Sequence, residues 1–357
     1  MGDYMNKFKH WLFILAHVVT LVLSSMILCP LYFVKLVGLW NTSRLIDYHI
    51  FTVQYTSHLL VLWLLGIKVY LYKERNLPDG FRYGDTILLT ANHLSELDPM
   101  FIGIMYQHFF RSKSHITSFA KHTLRFYPFI NSLLLANDTI FVENKNKQQN
   151  KGQHVYIADK LKTDVYPKRT ILIFPEGTTY SEKVKNYRED NAKKNGTPTF
   201  EQLLVPKTNG LHLIRKHSNV KEEYNVVMKF INRKNGDDPN LGGLLKGESP
   251  KEVHVLMTRQ KEFDSGTLDI ENRHLFDNYV YDTFRQMDAN LQMKLGDWES
   301  IYQKTEVKPS WETICWSLIY AFLSFITFWC VFTNGYMMIY SGLSILFFYI
   351  AALLEFR

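Results

Sequence analysis

The sequence predicts an α/β fold with a mixed central β-sheet flanked by helices and apolar transmembrane helices at both ends, on three observations. Between residues 66 and 305, apolar runs of strand length alternate with segments of helical period. From Trp11 to Trp40 there is a single charge, Lys35, and from Thr313 to Leu354, 42 residues, there is none. The stretch between them, about 240 residues, is long enough for one domain with its own core. The chain accordingly divides into an N-terminal anchor of two apolar helices (1–65), a globular domain (66–305) and a two-span hairpin (306–357).

Residues 11–29 make a first span, interrupted at Pro30. The basic-then-apolar order resembles a signal peptide, but the apolar stretch is longer and no small-residue cleavage site follows, so a retained anchor is expected. Residues 45–65 are a weaker apolar segment carrying Asp47, His49, Gln54 and His58, suited to a second span or to lying on the membrane. Strands are expected at 66–73 and 85–92, joined by the turn-rich ERNLPDGFRYG, and then at 116–120, 139–143, 170–175, 202–205, 225–231 and 252–259. A helix opening at His93 has Pro99 in its first turn, and others fit 151–164, 208–217 and 271–303. The KNKQQNK run at 145–151 reads as a solvated loop. Residues 313–332 and 336–354, separated by Thr333–Gly335, can each cross a hydrocarbon core of about 30 Å. Lys7, Lys9, Lys68, Lys73, Arg75, Lys304, Lys308 and Arg357 flank the spans on one side, expected to be cytosolic and to hold the domain, with Lys35 and Arg44 against the trend in the opposite loop.

Composition narrows the function. Cys29, Cys315 and Cys330 all lie in the apolar ends, which excludes a disulfide framework or cysteine metal site in the domain and fits a reducing compartment. A net charge of +7, in a chain with membrane segments, points to anionic headgroups or an anionic substrate rather than nucleic acid. The sequence has no GxSxG, HExxH, CxxC, Walker or GxGxxG pattern, so serine esterase, zinc hydrolase, ATPase and dinucleotide enzyme lack their parts; neither a metal nor a bound cofactor is expected.

Three segments carry candidate chemistry. In ANHLSELDP, Asn92 and His93 end a strand and Asp98 follows five residues later. An imidazole with a carboxylate on the next turn can act as a general base with an orienting partner; the same spacing fits a structural pair or a helix cap. In ILIFPEGTTYS an apolar strand runs into Phe174, Pro175, Glu176, Gly177 and Thr178, where a glycine turn can offer N–H groups to an anion and Glu176 can accept from a polyol, unless it is an ordinary turn. In LLVPKTNGL, Val205, Pro206 and Lys207 precede a helix, the lysine meeting a phosphate or merely flanking the helix start.

Taken together, NHLSELD (92–98), FPEGT (174–178) and VPKTNG (205–210) resemble the signature blocks of the glycerolipid acyltransferase family that includes 1-acylglycerol-3-phosphate acyltransferases. The resemblance covers about residues 66–300. The layout from Ser181 to Leu211, a charged helix leading to a proline, a basic residue and Thr-x-Gly, is similar to the eukaryotic branch with lysocardiolipin and lysophosphatidylinositol acyltransferases.

The resemblance implies that His93 takes a proton from a lysophospholipid hydroxyl, which attacks the thioester of acyl-CoA as co-substrate, with Asp98 orienting His93 and no acyl-enzyme. Residues 174–178 and 205–207 would hold the acceptor, and the neighbourhood of Asn92 would supply oxyanion donors. Two departures concern the acceptor. Where the family's second block has a glycine and an arginine, DTIFVEN has Asp138 and Asn144, and the position after EGT, often arginine in lysophosphatidate-specific members, is Thr179. Loss of two guanidinium groups favours a phosphodiester such as lysophosphatidylinositol over the doubly charged lysophosphatidate, with Lys121, Lys145, Lys147 and Lys207 available to compensate. Lysophosphatidate acylation, a CoA-independent transacylase and a non-catalytic lipid-binding protein are the alternatives. The implied location is the endoplasmic reticulum membrane, domain cytosolic. Of the sequons, Asn137 and Asn195 would then carry no glycan, while Asn41 in the opposite-side loop is open to one.

Overall fold

The computed structural model describes residues 2–38, 42–50, 56–77, 86–110, 115–127, 130–143, 150–162, 169–231, 250–260 and 269–354. Helices α1 (Gly2–Leu36), α2 (Ser43–Tyr48) and α3 (Thr56–Leu64) precede β1 (Lys68–Lys73) and β2 (Thr86–Ala91). Then come α4 (Asp98–Phe110), β3 (His115–Lys121), a 3₁₀ turn (His122–Phe126), α5 (Ile130–Ala136), β4 (Ile140–Val142), α6 (Asn150–Lys162) and β5 (Arg169–Ile173). The chain continues with α7 (Glu182–Asn195), α8 (Thr208–His217), β6 (Val220–Ile231), β7 (Glu252–Arg259), α9 (Arg273–Gln292), α10 (Leu295–Ile301), β8 (Gln303–Val307), α11 (Trp311–Thr333) and α12 (Gly335–Leu354).

The eight strands form one mixed sheet in the order β4-β3-β5-β2-β6-β7-β1-β8. Strands β4, β3, β5, β2 and β6 run parallel, whereas β7 pairs antiparallel with β6 and β8 antiparallel with β1. Alternation along the strands explains the two cores. Ile87 and Leu89 of β2, Val226 and Met228 of β6 and Val253, Val255 and Met257 of β7 pack with α4 on one face. Leu88, Val227 and Leu256 point to the other, where α6, α8, α9 and α10 bring Leu161, Ile214, Phe284 and Trp298. A strand buried on both faces reads as continuous apolar sequence, as TILLTA does. Each such leucine contributes about 1.5–3 kcal/mol of hydrophobic stabilisation.

The sheet departs from the sequence expectation at three places. Residues 202–205 form no strand: Leu203 and Leu204 are buried, but the N–H groups of Glu201 and Gln202 bond the Asp288 carboxylate and that of Leu204 bonds Glu176, so side chains replace a ladder. The helix expected over 271–303 breaks between α9 and α10, and Gln303–Val307 is a strand whose polar residues suit the sheet's edge. The helix expected to open at His93 starts at Asp98, after a loop in which Ser95 Oγ accepts from the Leu97 N–H at 3.1 Å.

α1 runs through Pro30 without ending, since a proline removes one hydrogen bond that neighbouring helices can compensate. Among the described residues two helices, α11 and α12, are long and apolar enough to cross a membrane, and most of their large side chains face outward, Trp311, Phe322, Phe325, Trp329 and Phe332 among them. α2 and α3 have six and nine residues, each too short to cross; residues 51–55 lie outside the described set.

The two ends of the chain meet. Tyr32 packs on Phe347 and Phe348, and Tyr340 Oη donates to the carbonyl of Met26 at 2.8 Å, so α1 runs alongside α12 in the same direction. Ser24, Tyr320 and His49, from α1, α11 and the end of α2, close a buried triangle with edges of 2.9, 3.2 and 3.3 Å. Lys35, at the C-terminal end of α1, pairs with Asp138 at 2.6 Å, and Asp47 bonds His115 of β3 at 2.5 Å. The expectation that Lys35 and its loop lie across the membrane from the domain is therefore corrected: an ammonium leaving an apolar helix has a carboxylate of the domain as its partner. Asn41, itself outside the described residues, is flanked by segments that touch the domain. With a cytosolic domain, none of the three sequons should carry a glycan, and a mobility shift on deglycosylation that is lost in Asn195→Gln would place the domain in the lumen.

Candidate active site

β2, β5 and β6 lie side by side and parallel, so the segments leaving β2 and β5 emerge at one end of the sheet, where ligands bind in open α/β sheets. From β2 the chain enters Asn92–Leu97, and from β5 it enters Phe174–Tyr180. Their meeting point is His93. Its Nδ1 donates to Asp98 Oδ2 at 3.0 Å, and the ring stacks on Phe174 with centroids 4.4 Å apart and planes inclined by 26°. Its side chain keeps 19% of its exposure, leaving Nε2 as the ring nitrogen available to a substrate. Asp98 is fully buried, and its Oδ2 also accepts from the N–H groups of Leu94 at 2.7 Å and Ser95 at 2.9 Å. Burial raises the Asp98 carboxyl above the usual range, opposed by His93 and by the two N–H groups. The five-residue separation works because the intervening backbone wraps the carboxylate, which fixes both the loop and the imidazole.

The second loop is clamped to the first. The His93 N–H donates to Glu176 Oε1 at 2.8 Å, and the Tyr180 N–H donates to the His93 carbonyl at 2.8 Å. Glu176 Oε2 accepts from the Leu204 N–H at 3.1 Å, so one buried carboxylate joins three segments. This corrects the reading of Glu176 as a polyol acceptor: it is fully buried and each oxygen holds a backbone N–H. Asn92 is likewise turned inward, its amide donating to the Met228 carbonyl at 3.2 Å and accepting from the Met228 N–H at 2.8 Å, which extends the β2–β6 ladder and takes it out of the expected oxyanion neighbourhood.

Gly177 closes the turn, its N–H donating to the Phe174 carbonyl at 2.8 Å with φ +63°, a left-handed conformation that glycine adopts without strain. Lys207 lies over it, Cδ and Nζ both 3.4 Å from where a Cβ on residue 177 would stand. The Lys207 N–H donates to the Pro175 carbonyl at 2.8 Å. Pro175 and Pro206 are buried, and Thr178 and Val205 are half-buried at the rim. Burial and the neighbouring Arg188 both lower the Lys207 ammonium. Arg188, on α7, is a residue that the motifs did not single out: its Nη1 donates to the Val205 carbonyl at 2.9 Å, and Glu176 acts on it electrostatically. α7 is capped by Ser181, which accepts from the Val184 N–H, and by Gly196 at φ +65°.

In the second block, Asp138 adopts φ +48°, the left-handed region that the family's glycine occupies freely and aspartate tolerates, and its carboxylate pairs with Lys35. Lys121 ends β3 and is exposed; Asn144, Lys145 and Lys147 lie outside the described residues. Among the described residues no three His, Cys, Asp or Glu side chains gather as a metal-binding group.

The Glu176 carboxyl is pushed up to about 8 by burial, against the pull of the His93 and Leu204 N–H groups. The folded chain thus holds a proton that an unfolded carboxyl, near 4.5, releases. This contribution to stability is fully present below pH 4.5 and is lost as pH rises through about 8. Thermal unfolding from pH 5 to 9 should show the wild type losing stability relative to Glu176→Gln, whose amide does not titrate. Parallel curves would mean that the carboxylate is ionised throughout.

Residues 68–227 match the Acyltransferase family model. Lysophosphatidylinositol acyltransferase 10 of Caenorhabditis elegans is 29% identical over 202 residues, 55% of this chain and 49% of that protein. Lysocardiolipin acyltransferase 1 of Gallus gallus is 25% identical over 191 residues, 51% and 47% of the two chains. Human 1-acyl-sn-glycerol-3-phosphate acyltransferase delta is 26% identical over 196 residues, 53% and 49%. The chain spans about half the length of these curated relatives. The crystal structure of the 1-acyl-sn-glycerophosphate acyltransferase PlsC from Thermotoga maritima superposes with a TM-score of 0.42 at 16% identity, covering 79% of this chain and 98% of that one.

Proposed function

We propose, from the match of residues 68–227 to the Acyltransferase family model and the likeness to lysophosphatidylinositol and lysocardiolipin acyltransferases, that the chain is a membrane-bound acyl-CoA-dependent lysophospholipid acyltransferase. The observation that carries this reading is the His93–Asp98 pair, held by Phe174 and by the Glu176 clamp, with one ring nitrogen left for a substrate. His93 Nε2 removes the proton of the acceptor's free hydroxyl as that oxygen attacks the thioester carbonyl of acyl-CoA. The tetrahedral intermediate collapses with cleavage of the C–S bond, and the imidazolium returns its proton to the departing CoA thiolate. The products are a diacyl phospholipid and free CoA. Asp98 keeps the Nδ1–H tautomer and stabilises the imidazolium.

Phe174, Pro175, Gly177, Thr178, Val205, Pro206 and Lys207 form the two loops that meet the acceptor, with residues 66–305 as the catalytic domain. Residues 1–65 and 306–357 attach it to the membrane, the endoplasmic reticulum with the domain cytosolic. A phosphodiester acceptor such as lysophosphatidylinositol is favoured, because Thr179 stands where an arginine would clamp a phosphomonoester.

The test is transfer of a radiolabelled acyl chain from acyl-CoA to a panel of lysophospholipids by membranes containing the protein. Preference for lysophosphatidylinositol is expected, preference for lysophosphatidate would reassign the acceptor, and transfer from a phospholipid without acyl-CoA would make it a transacylase. No transfer from any donor by folded protein would refute the enzyme reading.

A further inference from the structure

A phosphodiester acceptor brings one negative charge to a site whose motif offers Thr179 after the EGT, and the cation that meets it must come from elsewhere. Two cations stand beside the clamped loops. Arg188 reaches from α7 and donates to the carbonyl of Val205, so its guanidinium is fixed at the loop that leads to Lys207. Lys207 is fixed in turn by its N–H on Pro175 and lies over Gly177, directly after Glu176, whose backbone clamp is on His93. A single chain of contacts therefore runs from the proposed base through Glu176 and Gly177 to Lys207 and Arg188.

Arg188 is the cation whose partners are all visible at this spot. Glu176 is the carboxylate that acts on Arg188, but its two oxygens already hold the N–H groups of His93 and Leu204, and Arg188 bonds a neutral carbonyl instead of pairing with it. Burial pushes the Glu176 carboxyl up, which weakens its pull on the neighbouring cations. Partial burial first and Arg188 second lower the Lys207 ammonium, and an anion beside both cations would favour their charged forms. A guanidinium with one N–H engaged still has further donors in its planar fork, the geometry suited to two phosphate oxygens.

We propose that Arg188, backed by Lys207, binds the phosphate of the acceptor lysophospholipid and sets the site's demand for a charged acceptor. This rests on the acyltransferase reading. The proposal is tested with full-length protein in membranes, comparing wild type, Arg188→Gln and Arg188→Lys. Acyl transfer is followed to lysophosphatidylinositol and to monoacylglycerol, an uncharged acceptor, with each substrate varied in turn. Arg188→Gln should raise the KM for lysophosphatidylinositol about tenfold or more, with kcat within about twofold, and leave the KM for acyl-CoA and transfer to monoacylglycerol unchanged. Arg188→Lys should fall between.

Equal losses on both acceptors would show that Arg188 merely holds the Val205 loop, and a rise in the acyl-CoA KM alone would assign the cation to the donor's phosphates; either result overturns the proposal. A binding measurement separates this failure from failure of the functional reading. Lysophosphatidylinositol, titrated onto detergent-solubilised His93→Ala protein, should bind about tenfold more tightly than to the His93→Ala, Arg188→Gln double variant, whether or not the wild type transfers acyl groups. Equal affinities would refute the site on their own.

Discussion

Replacing His93 by alanine should lower acyl transfer about 10²–10⁴-fold, the range that a positioned general base supplies. An acceptor hydroxyl is a poor nucleophile at neutral pH, and the structure offers one imidazole at the meeting point of the two clamped loops, bonded to a buried carboxylate on one side and half-covered by Phe174. Truncation to alanine leaves Asp98 with its Leu94 and Ser95 N–H donors and leaves the backbone clamp to Glu176 intact, because that bond comes from the His93 N–H and not from the ring. The fold should survive. The measurement is the initial rate per folded protein in membranes, with a thermal unfolding curve beside it. Near-normal transfer by His93→Ala would remove the proposed mechanism.

Asp98→Asn should cost kcat about 10²-fold or more, with the acceptor KM nearly unchanged. The isostere fits, since Asn Oδ1 can take the place of the oxygen that accepts from Leu94, Ser95 and His93. Two things change. The amide carries no charge to stabilise an imidazolium, and its NH2 replaces Asp98 Oδ1, a buried atom that makes no hydrogen bond. An unsatisfied buried donor costs about 1–3 kcal/mol, so a modest loss of thermal stability accompanies the slower chemistry. Wild-type kcat in a normally folded Asp98→Asn protein would reduce the pair to a structural contact.

How far these sites could be read from sequence depends on what kind of contact makes them. His93 and Asp98 were legible because residues five apart in one loop can bond directly. The strands that carry them were legible because burial on both faces leaves an unbroken apolar run, as in TILLTA and RTILI. The same rule misled at Leu203 and Leu204, where burial comes without a ladder because Asp288 and Glu176 satisfy the backbone. Motif membership marked Asn92 and Glu176 as important but assigned them to substrate, since a sequence does not say whether a polar side chain points into a cleft or back into the backbone. Arg188 left no signal: it sits in a charged helix among Lys183, Lys185 and Lys193, and only the fold tells which cation reaches the Val205 loop. The edge strand β8 was hidden by its polarity, and the meeting of the two chain ends by distance in sequence.

The buried triangle of Ser24, His49 and Tyr320 imposes an order on biosynthesis. Ser24 and Tyr320 are 296 residues apart, and at about 5–20 residues per second the ribosome needs about 15–60 s to make the second after the first. Throughout that interval α1 exists without α11, with Ser24 and His49 lacking the hydroxyl that completes their hydrogen bonds. The nascent helix therefore waits without its Tyr320 contact while the residues of the sheet are made. Final seating of α1 against α11 follows synthesis of the whole sheet between them.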